Sequence, residues 1–511
     1  VSLALSPDVK VLVVGAGAMG SGIAQVAAVA GHTVYLYDSR AEAADRGRAG
    51  IAAALDKLAA RGRLTAEAAT AAAARVQPVM DLAAARDAGL AVEAIVEDLA
   101  VKRALFAELE SLLSGDAILA SNTSSLSITA LAAPLARPQR VAGLHFFNPA
   151  PVMKLVEVVS GLATDPAVAA TLHATAGAWG KVAVHAKSTP GFIVNRVARP
   201  YYAEGLRVLG EGAADVATLD AVLREGCGFP MGPLELMDLI GHDVNFAVTS
   251  SVFEACFNDK RFTPSLIQQE LVLAGRLGRK SGRGFHDYAE GAARPAPAAE
   301  APQGAEGRVA VVGDLGVAGG LIARLEGAGI TMERKPGESG HGAGWLEIGG
   351  ARLVLSDGRT ATRRAVEEDV PKLVLFDLCL DYAATPRLAV AVADQCGQGA
   401  WRAVVGTLQA AGLAVTRLDD VAGLLGLRTV AMLANEAADA VLAGIGTAAD
   451  IDTAMRYGTN YPKGPLAWAD ELGTAFVARV LTNLCAHYFD TRYRVSPLLQ
   501  RKAITGANFH E

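Results

Sequence analysis

Short apolar runs alternate with stretches of helical periodicity over the first 187 residues. Runs at 10–14, 33–37, 90–96, 117–120, 141–145, 154–159 and 181–184 predict strands, with Ala-rich helices between most of them. Such alternation predicts a mostly parallel sheet. The rhythm breaks between 141 and 159, where only a short Phe-Asn-Pro loop separates two strands. An antiparallel hairpin at the sheet edge is predicted there. From Thr189 the periodicity turns helical, and no strand is predicted until about residue 290. Residues 291–307 are Pro-, Ala- and Gly-rich without periodicity and read as a linker. The pattern then restarts: Arg308-Val-Ala-Val-Val-Gly313 repeats the opening strand, strands follow at 352–355 and 372–376, and a second helical stretch closes the chain.

The two helical stretches are copies. Phe229-Pro-Met-Gly-Pro-Leu-Glu-Leu-Met-Asp-Leu-Ile-Gly241 aligns with Tyr461-Pro-Lys-Gly-Pro-Leu-Ala-Trp-Ala-Asp-Glu-Leu-Gly473. Glu204 and Glu436, Asp220 and Asp452, and Asp238 and Asp470 are each 232 positions apart, with no gap between them. The chain therefore reads as a tandem duplication. Its expected parts are 1–187, a helical domain at 188–290, the linker, a reduced sheet domain at 308–424 and a second helical domain at 425–511.

With 511 residues the chain is too long for one core. It is 51% hydrophobic and 20% charged, a globular composition, with only 5% aromatic residues. A net charge of −6 supplies no basic field for nucleic acid. The five cysteines (Cys227, Cys256, Cys379, Cys396 and Cys485) form no CxxC pair, so neither a disulfide framework nor a zinc site is expected. No leader precedes the first strand and no apolar run is long enough to span a bilayer, so a cytoplasmic protein without membrane contact is expected.

The opening strand runs into Gly15-Ala16-Gly17-Ala18-Met19-Gly20, with GxGxxG spacing, followed by a helix from Met19 to Ala30 and a second strand ending at Asp38. Gly15 permits the tight turn, Gly17 lets backbone approach a pyrophosphate, and Gly20 lets helix and strand pack closely. The phosphates would sit at the helix N-terminus. Asp38 would accept hydrogen bonds from an adenosine ribose, which favours NAD, although Arg40 could hold a 2′-phosphate. This is the signature of a Rossmann domain. In the repeat the glycines fall at Gly313, Gly316, Gly319 and Gly320, so that domain is expected to be degenerate and without a dinucleotide.

Three further clusters carry chemistry. Ser121-Asn-Thr-Ser124-Ser125 follows a strand, where it can face a ligand or simply cap the next helix. His145 ends one strand of the predicted hairpin, and Glu157 lies 12 residues on in the other. A carboxylate on one imidazole nitrogen fixes the tautomer and raises basicity at the other, which suits removal of an alcohol proton. A core histidine with a structural partner is the alternative. Asn195, in Gly191-Phe-Ile-Val-Asn195-Arg196, can bond a substrate carbonyl or lie at a helix start facing solvent.

These motifs resemble the L-3-hydroxyacyl-CoA dehydrogenase family over residues 9–288. The resemblance rests on GAGAMGSGIA, AIVEDLAVK, SNTSSL, GLHFFNPAPVMKLVEVV, TPGFIVNR, GFPMGPLELMDLIG and LGRKSGRGFHDY. The second half resembles the long bacterial members. The resemblance implies an α/β Rossmann domain plus an all-α helical domain, then a degenerate Rossmann-like domain and a second helical copy. It implies His145 as base, Glu157 as its partner, and Ser124 and Asn195 completing the catalytic site. It implies NAD contacts from the Gly15–Gly20 loop, Asp38, Glu97, Lys102, Ser124, Asn148 and Lys280. The family's coenzyme A serine and lysine fall at Ala54 and Arg61, with Lys57 as a neighbouring candidate. The implied reaction is oxidation of an acyl-CoA thioester in fatty-acid or aromatic-acid breakdown, in a cleft between the first two domains and without a metal.

A dehydrogenase of free hydroxy acids and a non-catalytic NAD sensor are the rival readings. Neither explains the SNTSSL and HFFNP motifs together. The second half is expected to have no active centre and no counterpart of the His145–Glu157 hairpin around 372–390. Its helical copy is expected to pack on the first, and either a homodimer or an intramolecular pseudo-dimer is compatible with that.

Overall fold

The computed structural model describes residues 3–40, 42–337 and 344–510. It divides into two units, one of residues 1–196 with 443–459 and the other of 197–442 with 460–511.

The first unit is built on eight strands: β1 (Lys10–Val14), β2 (Val34–Tyr37), β3 (Val76–Val79), β4 (Ala88–Glu93), β5 (Ile118–Ser121), β6 (Val141–Phe146), β7 (Leu155–Ser160) and β8 (Val182–Lys187). Their order is β3-β2-β1-β4-β5-β6-β7-β8. All pairs are parallel except β6 and β7, the predicted hairpin. The hairpin is not at the sheet edge as expected, because β8 pairs with β7 outside it. Helices cover both faces, so Val11, Leu12 and Val13 are wholly buried. That double burial made the strands readable as apolar runs. β4 ends at Glu93, short of the expected 96, because the Glu93 carboxylate accepts the Ile95 N–H and turns the chain. β3 was not predicted, since Val-Gln-Pro-Val carries a proline that only an edge strand tolerates.

The second unit holds seven strands: β9 (Arg308–Val312), β10 (Thr331–Lys335), β11 (Trp345–Ile348), β12 (Ala351–Leu355), β13 (Leu373–Phe376), β14 (Arg387–Val392) and β15 (Ala414–Arg417). Their order is β10-β9-β11-β12-β13-β14-β15. β11 runs antiparallel to both β9 and β12, between which it is inserted. In the first sheet β1 and β4 are direct parallel neighbours, and their carboxyl ends open the crevice where dinucleotides bind in such folds. In the second sheet the inserted strand instead separates β9 from β12.

One sequence expectation fails here. β13 and β14 pair antiparallel, and β14 pairs parallel with β15, as β6, β7 and β8 do. The hairpin therefore has a counterpart. The 232-residue offset carries His145 onto Asp377 and Glu157 onto Ala389, and the Asp377 N–H donates to the Ala389 carbonyl at 2.9 Å. The strands survived while the two reactive side chains changed, which hid the hairpin from a search for its chemistry.

The linker has neither helix nor strand, yet it is laid along β15 instead of hanging free. The Glu300 N–H donates to Val415 O at 2.8 Å, and the Ala298 carbonyl accepts from Thr416 Oγ1 at 2.7 Å. The helical copies also exchange elements. The helix Ala448–Gly458, from the second copy, packs on β7 and β8 of the first unit, where Lys187 N–H donates to Ile445 O at 2.8 Å. The turn Val222–Gly226, from the first copy, packs on β14, where Arg387 Nε meets Glu225 Oε2 at 2.8 Å. Within the second unit the helix Arg199–Gly210 lies against Gly426–Leu442. There Arg428 binds the buried Glu204 at 2.7 Å, and Arg261 binds the buried Glu436 at 2.9 Å. Each of these matched glutamates is thus neutralised by an arginine of the other copy, the arrangement a buried carboxylate requires.

Candidate active site

The glycine loop has the geometry its spacing predicts. Gly15 has φ of +105°, and a Cβ there would lie 2.5 Å from Ala94 O. A Cβ at Gly20 would lie 1.7 Å from Gly15 O, so helix and turn touch backbone to backbone. A Cβ at Gly17 would meet nothing within 4 Å, so this face of the loop is open. Gly17 caps the helix Ala18–Val29 without any side-chain hydrogen bond, leaving N–H groups for an anion. Ala16 completes the turn, and Ala18 and Met19 begin the helix. Beside it a cavity of about 600 Å³ is walled by Gly15, Gly17, Tyr37, Asp38, Ile95 and Val101. Its lining mixes apolar side chains with the charged groups of Asp38, Arg40 and Glu108.

Asp38 accepts the Ala16 N–H at 2.8 Å and is gripped by Arg40 through Nε at 3.0 Å and Nη2 at 3.2 Å. The hydrogen bond from Arg40 holds the carboxyl at about 2. The Arg40 side chain is itself largely exposed and borders the same cavity.

His145 and Glu157 are direct partners in the β6–β7 register. His145 Nδ1 meets Glu157 Oε2 at 2.7 Å, both side chains being buried. Glu157 Oε1 accepts the N–H groups of Ile193 and Val194, at 3.0 Å each. One carboxylate therefore ties the imidazole to the start of the segment that carries Asn195. Phe147 and Phe192 lie against the imidazole, with centroids 4.5 and 5.9 Å away. Asn195 Nδ2 reaches Ser124 O at 3.4 Å, so the structure brings Ser124 and Asn195 together.

A polar network that runs from the buried Glu93 and Lys102 to the exposed Glu97 holds the Ser124 loop, and sequence reasoning found only part of it. Glu97 Oε1 accepts from Thr123 Oγ1 at 2.5 Å, from Ser124 N–H at 3.1 Å and from Ser125 Oγ at 2.9 Å. Burial disfavours the Glu97 charge, but the Thr123 hydroxyl and the Lys102 ammonium outweigh it and keep its pKa below normal. Lys102 is 1% exposed and enclosed by Glu93, Glu97 at 3.3 Å and the Ile95 carbonyl. Glu93, wholly buried, also accepts from Ser121 Oγ at 2.7 Å. Glu93 escaped notice because nothing in its spacing signals three elements converging on it.

Other expected residues stand apart. Asn148 is exposed in the loop after β6. Lys280 lies in the second unit, where it pairs with Asp243 at 2.5 Å. Ala54 and Lys57 lie on the helix Ala43–Ala60 and Arg61 caps its C-terminus. None of the three lines the 470 Å³ cavity between that helix and the glycine loop, whose charged residues are Arg40 and Arg46.

Comparison with known proteins gives a consistent result. The family description "3-hydroxyacyl-CoA dehydrogenase, NAD binding domain" matches residues 10–189, and its C-terminal domain matches 191–288 and again 423–508. A "3-hydroxybutyryl-CoA dehydrogenase reduced Rossmann-fold domain" matches 353–421. The 3-hydroxyadipyl-CoA dehydrogenase of Escherichia coli (strain K12) is 47% identical over 499 residues, 98% of each chain. A probable 3-hydroxybutyryl-CoA dehydrogenase of Bacillus subtilis is 43% identical over 281 residues, 55% of this chain and 98% of that one. A solved structure described as 3-hydroxybutyryl-CoA dehydrogenase from Escherichia coli has a TM-score of 0.89 at 46% identity, covering 98% of this chain and 99% of that one. Its duplicated helical domain, its reduced second sheet and its full-length likeness lead to one conclusion: the chain belongs to the 3-hydroxyacyl-CoA dehydrogenase family, as an NAD-dependent oxidoreductase of the long form.

Proposed function

We propose that the chain oxidises a (3S)-3-hydroxyacyl-CoA to the 3-oxoacyl-CoA, with His145 as the base. The observation that carries this reading is the buried 2.7 Å contact between His145 Nδ1 and Glu157. It commits Nδ1 to the carboxylate and leaves Nε2 to take the proton of the 3-hydroxyl. NAD, when bound, supplies the hydride acceptor. Glu157 stabilises the imidazolium that forms, and its two backbone N–H partners keep it from turning away. Ser124 and Asn195 orient the substrate oxygen. Glu97, supported by Lys102 and Glu93, holds the Ser124 loop in place. The Gly15–Gly20 turn, Asp38 and the adjoining cavity hold the dinucleotide, with Asn148 of the loop after β6 as a further contact. We place the thioester's coenzyme A along the long helix Ala43–Ala60, where Lys57 and Arg61 offer positive charge to its phosphates and Ala54 lacks the hydroxyl of the family's serine.

The substrate we assign is a short or dicarboxylic acyl chain, supported by full-length likeness to a protein called 3-hydroxyadipyl-CoA dehydrogenase. Breakdown of fatty or aromatic acids in the cytoplasm is the matching setting. Among the described residues no helix is long and apolar enough to cross a membrane. The exchanged helices support an intramolecular pseudo-dimer. The test is oxidation of NADH on addition of acetoacetyl-CoA, measured by absorbance. His145→Gln is expected to lower kcat by about 10²–10⁴-fold while NAD still binds. Near-normal turnover by that variant would remove the base from the mechanism.

A further inference from the structure

The loop that carries Ser124 and the strand that carries His145 are joined by a side chain to which the reaction has so far given no part. The β5–β6 ladder pairs Leu119 with Val141, Ala120 with Ala142 and Ser121 with Gly143, and stops there. His145 lies two residues beyond that end. On one side it is supported by β7, through the register with Glu157. On the other side the chain has left β5 and entered the loop, so the strand offers the Phe146 N–H no backbone acceptor. Asn122 Oδ1 accepts that N–H at 2.8 Å. Only the oxygen of the amide can accept it, which fixes the way the side chain is turned. The Asn122 N–H itself donates to the Glu93 carbonyl at 2.8 Å. Asn122 thus ties together the carboxyl ends of β4, β5 and β6.

The Phe146 N–H belongs to the peptide that leaves His145. A peptide is planar, so holding its N–H also holds the His145 carbonyl and the backbone that aims the imidazole. The next residues are constrained as well, since Phe146 is buried and the Phe147 ring lies 4.5 Å from the imidazole. Asn122 stands two residues before Ser124, whose carbonyl meets Asn195. The Glu97 hydrogen bonds fix Ser124 from the side of β4. Asn122 fixes it with respect to the base.

The second sheet supplies a control. There Val354 pairs with Leu375, the residue 232 positions after Gly143, so Leu355 follows Val354 as Asn122 follows Ser121. The ladder runs one pair further, to Leu355 and Phe376. The N–H of Leu378, 232 positions after Phe146, goes to Asp377 Oδ1 at 2.8 Å. Where the histidine is missing the amide is missing too, and the strand end is satisfied without it.

We propose that Asn122 is a positioning residue for the reaction assigned above, on which its role rests: its amide locks the His145 peptide and so sets where the imidazole stands relative to Ser124. The test is steady-state kinetics of the full-length chain with acetoacetyl-CoA and NADH. Asn122→Ala is expected to lower kcat about 10- to 10²-fold, the loss a misplaced catalytic group brings, while KM for NADH changes less than about twofold. Asn122→Asp keeps the acceptor oxygen and is expected to show a kcat about fivefold or more above that of the Ala variant. Asn122→Ala added to His145→Gln should cost little beyond His145→Gln alone, since both act through one imidazole. Native kcat in Asn122→Ala, equal losses in the Ala and Asp variants, or additive losses in the double variant would overturn the assignment. A native chain without turnover removes the proposed reaction and this role with it. A fall in kcat for His145→Gln but none for Asn122→Ala removes the role of Asn122 alone.

Discussion

In the β6–β7 hairpin His145 faces Glu157, whereas in β13–β14 the same register positions hold Asp377 and Ala389. Both hairpins place one carboxylate against the N–H groups that begin the next helical segment. Glu157 receives those of Ile193 and Val194, and Asp377 receives those of Leu425 and Gly426, the matching positions 232 residues on. The difference lies in how the two oxygens are used. Glu157 gives Oε1 to backbone and Oε2 to His145. Asp377 gives both oxygens to backbone, Oδ2 to Leu425 and Gly426 and Oδ1 to Leu427 and Leu378. Docking a helix needs one acceptor oxygen, and a base needs a second one on the same carboxylate. The second half kept the first requirement and moved the acid to the strand where a histidine would stand.

The severest way to break this comparison is to remove one half. Deleting residues 308–511 strips the helix Ala448–Gly458 from β7 and β8, so we expect insoluble protein or a large drop in Tm. Full solubility and activity in the fragment would show that the halves are independent. Next in size, Glu157→Gln is expected to lower kcat roughly 10²-fold, toward the low end of acid–base contributions, because the amide cannot stabilise an imidazolium as a carboxylate does. An unchanged kcat and pH profile would reduce Glu157 to a helix dock like Asp377.

Asp377 should show the opposite behaviour, in stability and not in rate. Burial pushes its carboxyl up to about 6 against the ordinary 3.8, while the backbone N–H groups pull it back. An acid raised in the folded state stabilises fully below its unfolded pKa, and that contribution fades as pH climbs through the folded pKa. Compared with Asp377→Asn, the native chain should therefore lose roughly 2–3 kcal/mol between about pH 4 and 7 in urea unfolding. A pH-independent difference would contradict the assignment. The smallest effect is expected from Gly458→Ala. The new methyl would lie 2.6 Å from Leu155 Cδ2 and 3.1 Å from Val194 Cγ2, costing about 1 kcal/mol of overpacking. Because Phe147, which packs on His145, is also within 3.7 Å, kcat should fall slightly alongside Tm.

Much of the fold was legible, for reasons visible in particular residues. β1, β4, β5 and β6 are buried on both faces and announce themselves as Val-, Leu- and Ala-rich runs. Of β14 (Arg-Leu-Ala-Val-Ala-Val), as plain a strand as β7, nothing was predicted, because its reactive glutamate had become Ala389. β10 (Thr-Met-Glu-Arg-Lys) is an exposed edge strand with no apolar face to read. At the site, the His145–Glu157 pair was legible because hairpin register fixes which residues oppose each other. The Glu93–Lys102–Glu97 network was not. It depends on side chains from β4, the loop after it, the helix Leu99–Leu112 and β5 reaching one point, and no spacing rule encodes that.

The traded helices also bear on how such a protein can be divided. Severing the chain within 291–307 would produce two pieces, the first lacking the helix that packs on β7 and β8 and the second the turn that packs on β14. Neither should persist alone, yet produced together they should reassemble, since each carries the missing cover of the other. The duplication thus behaves as a clasp whose two parts close only on one another.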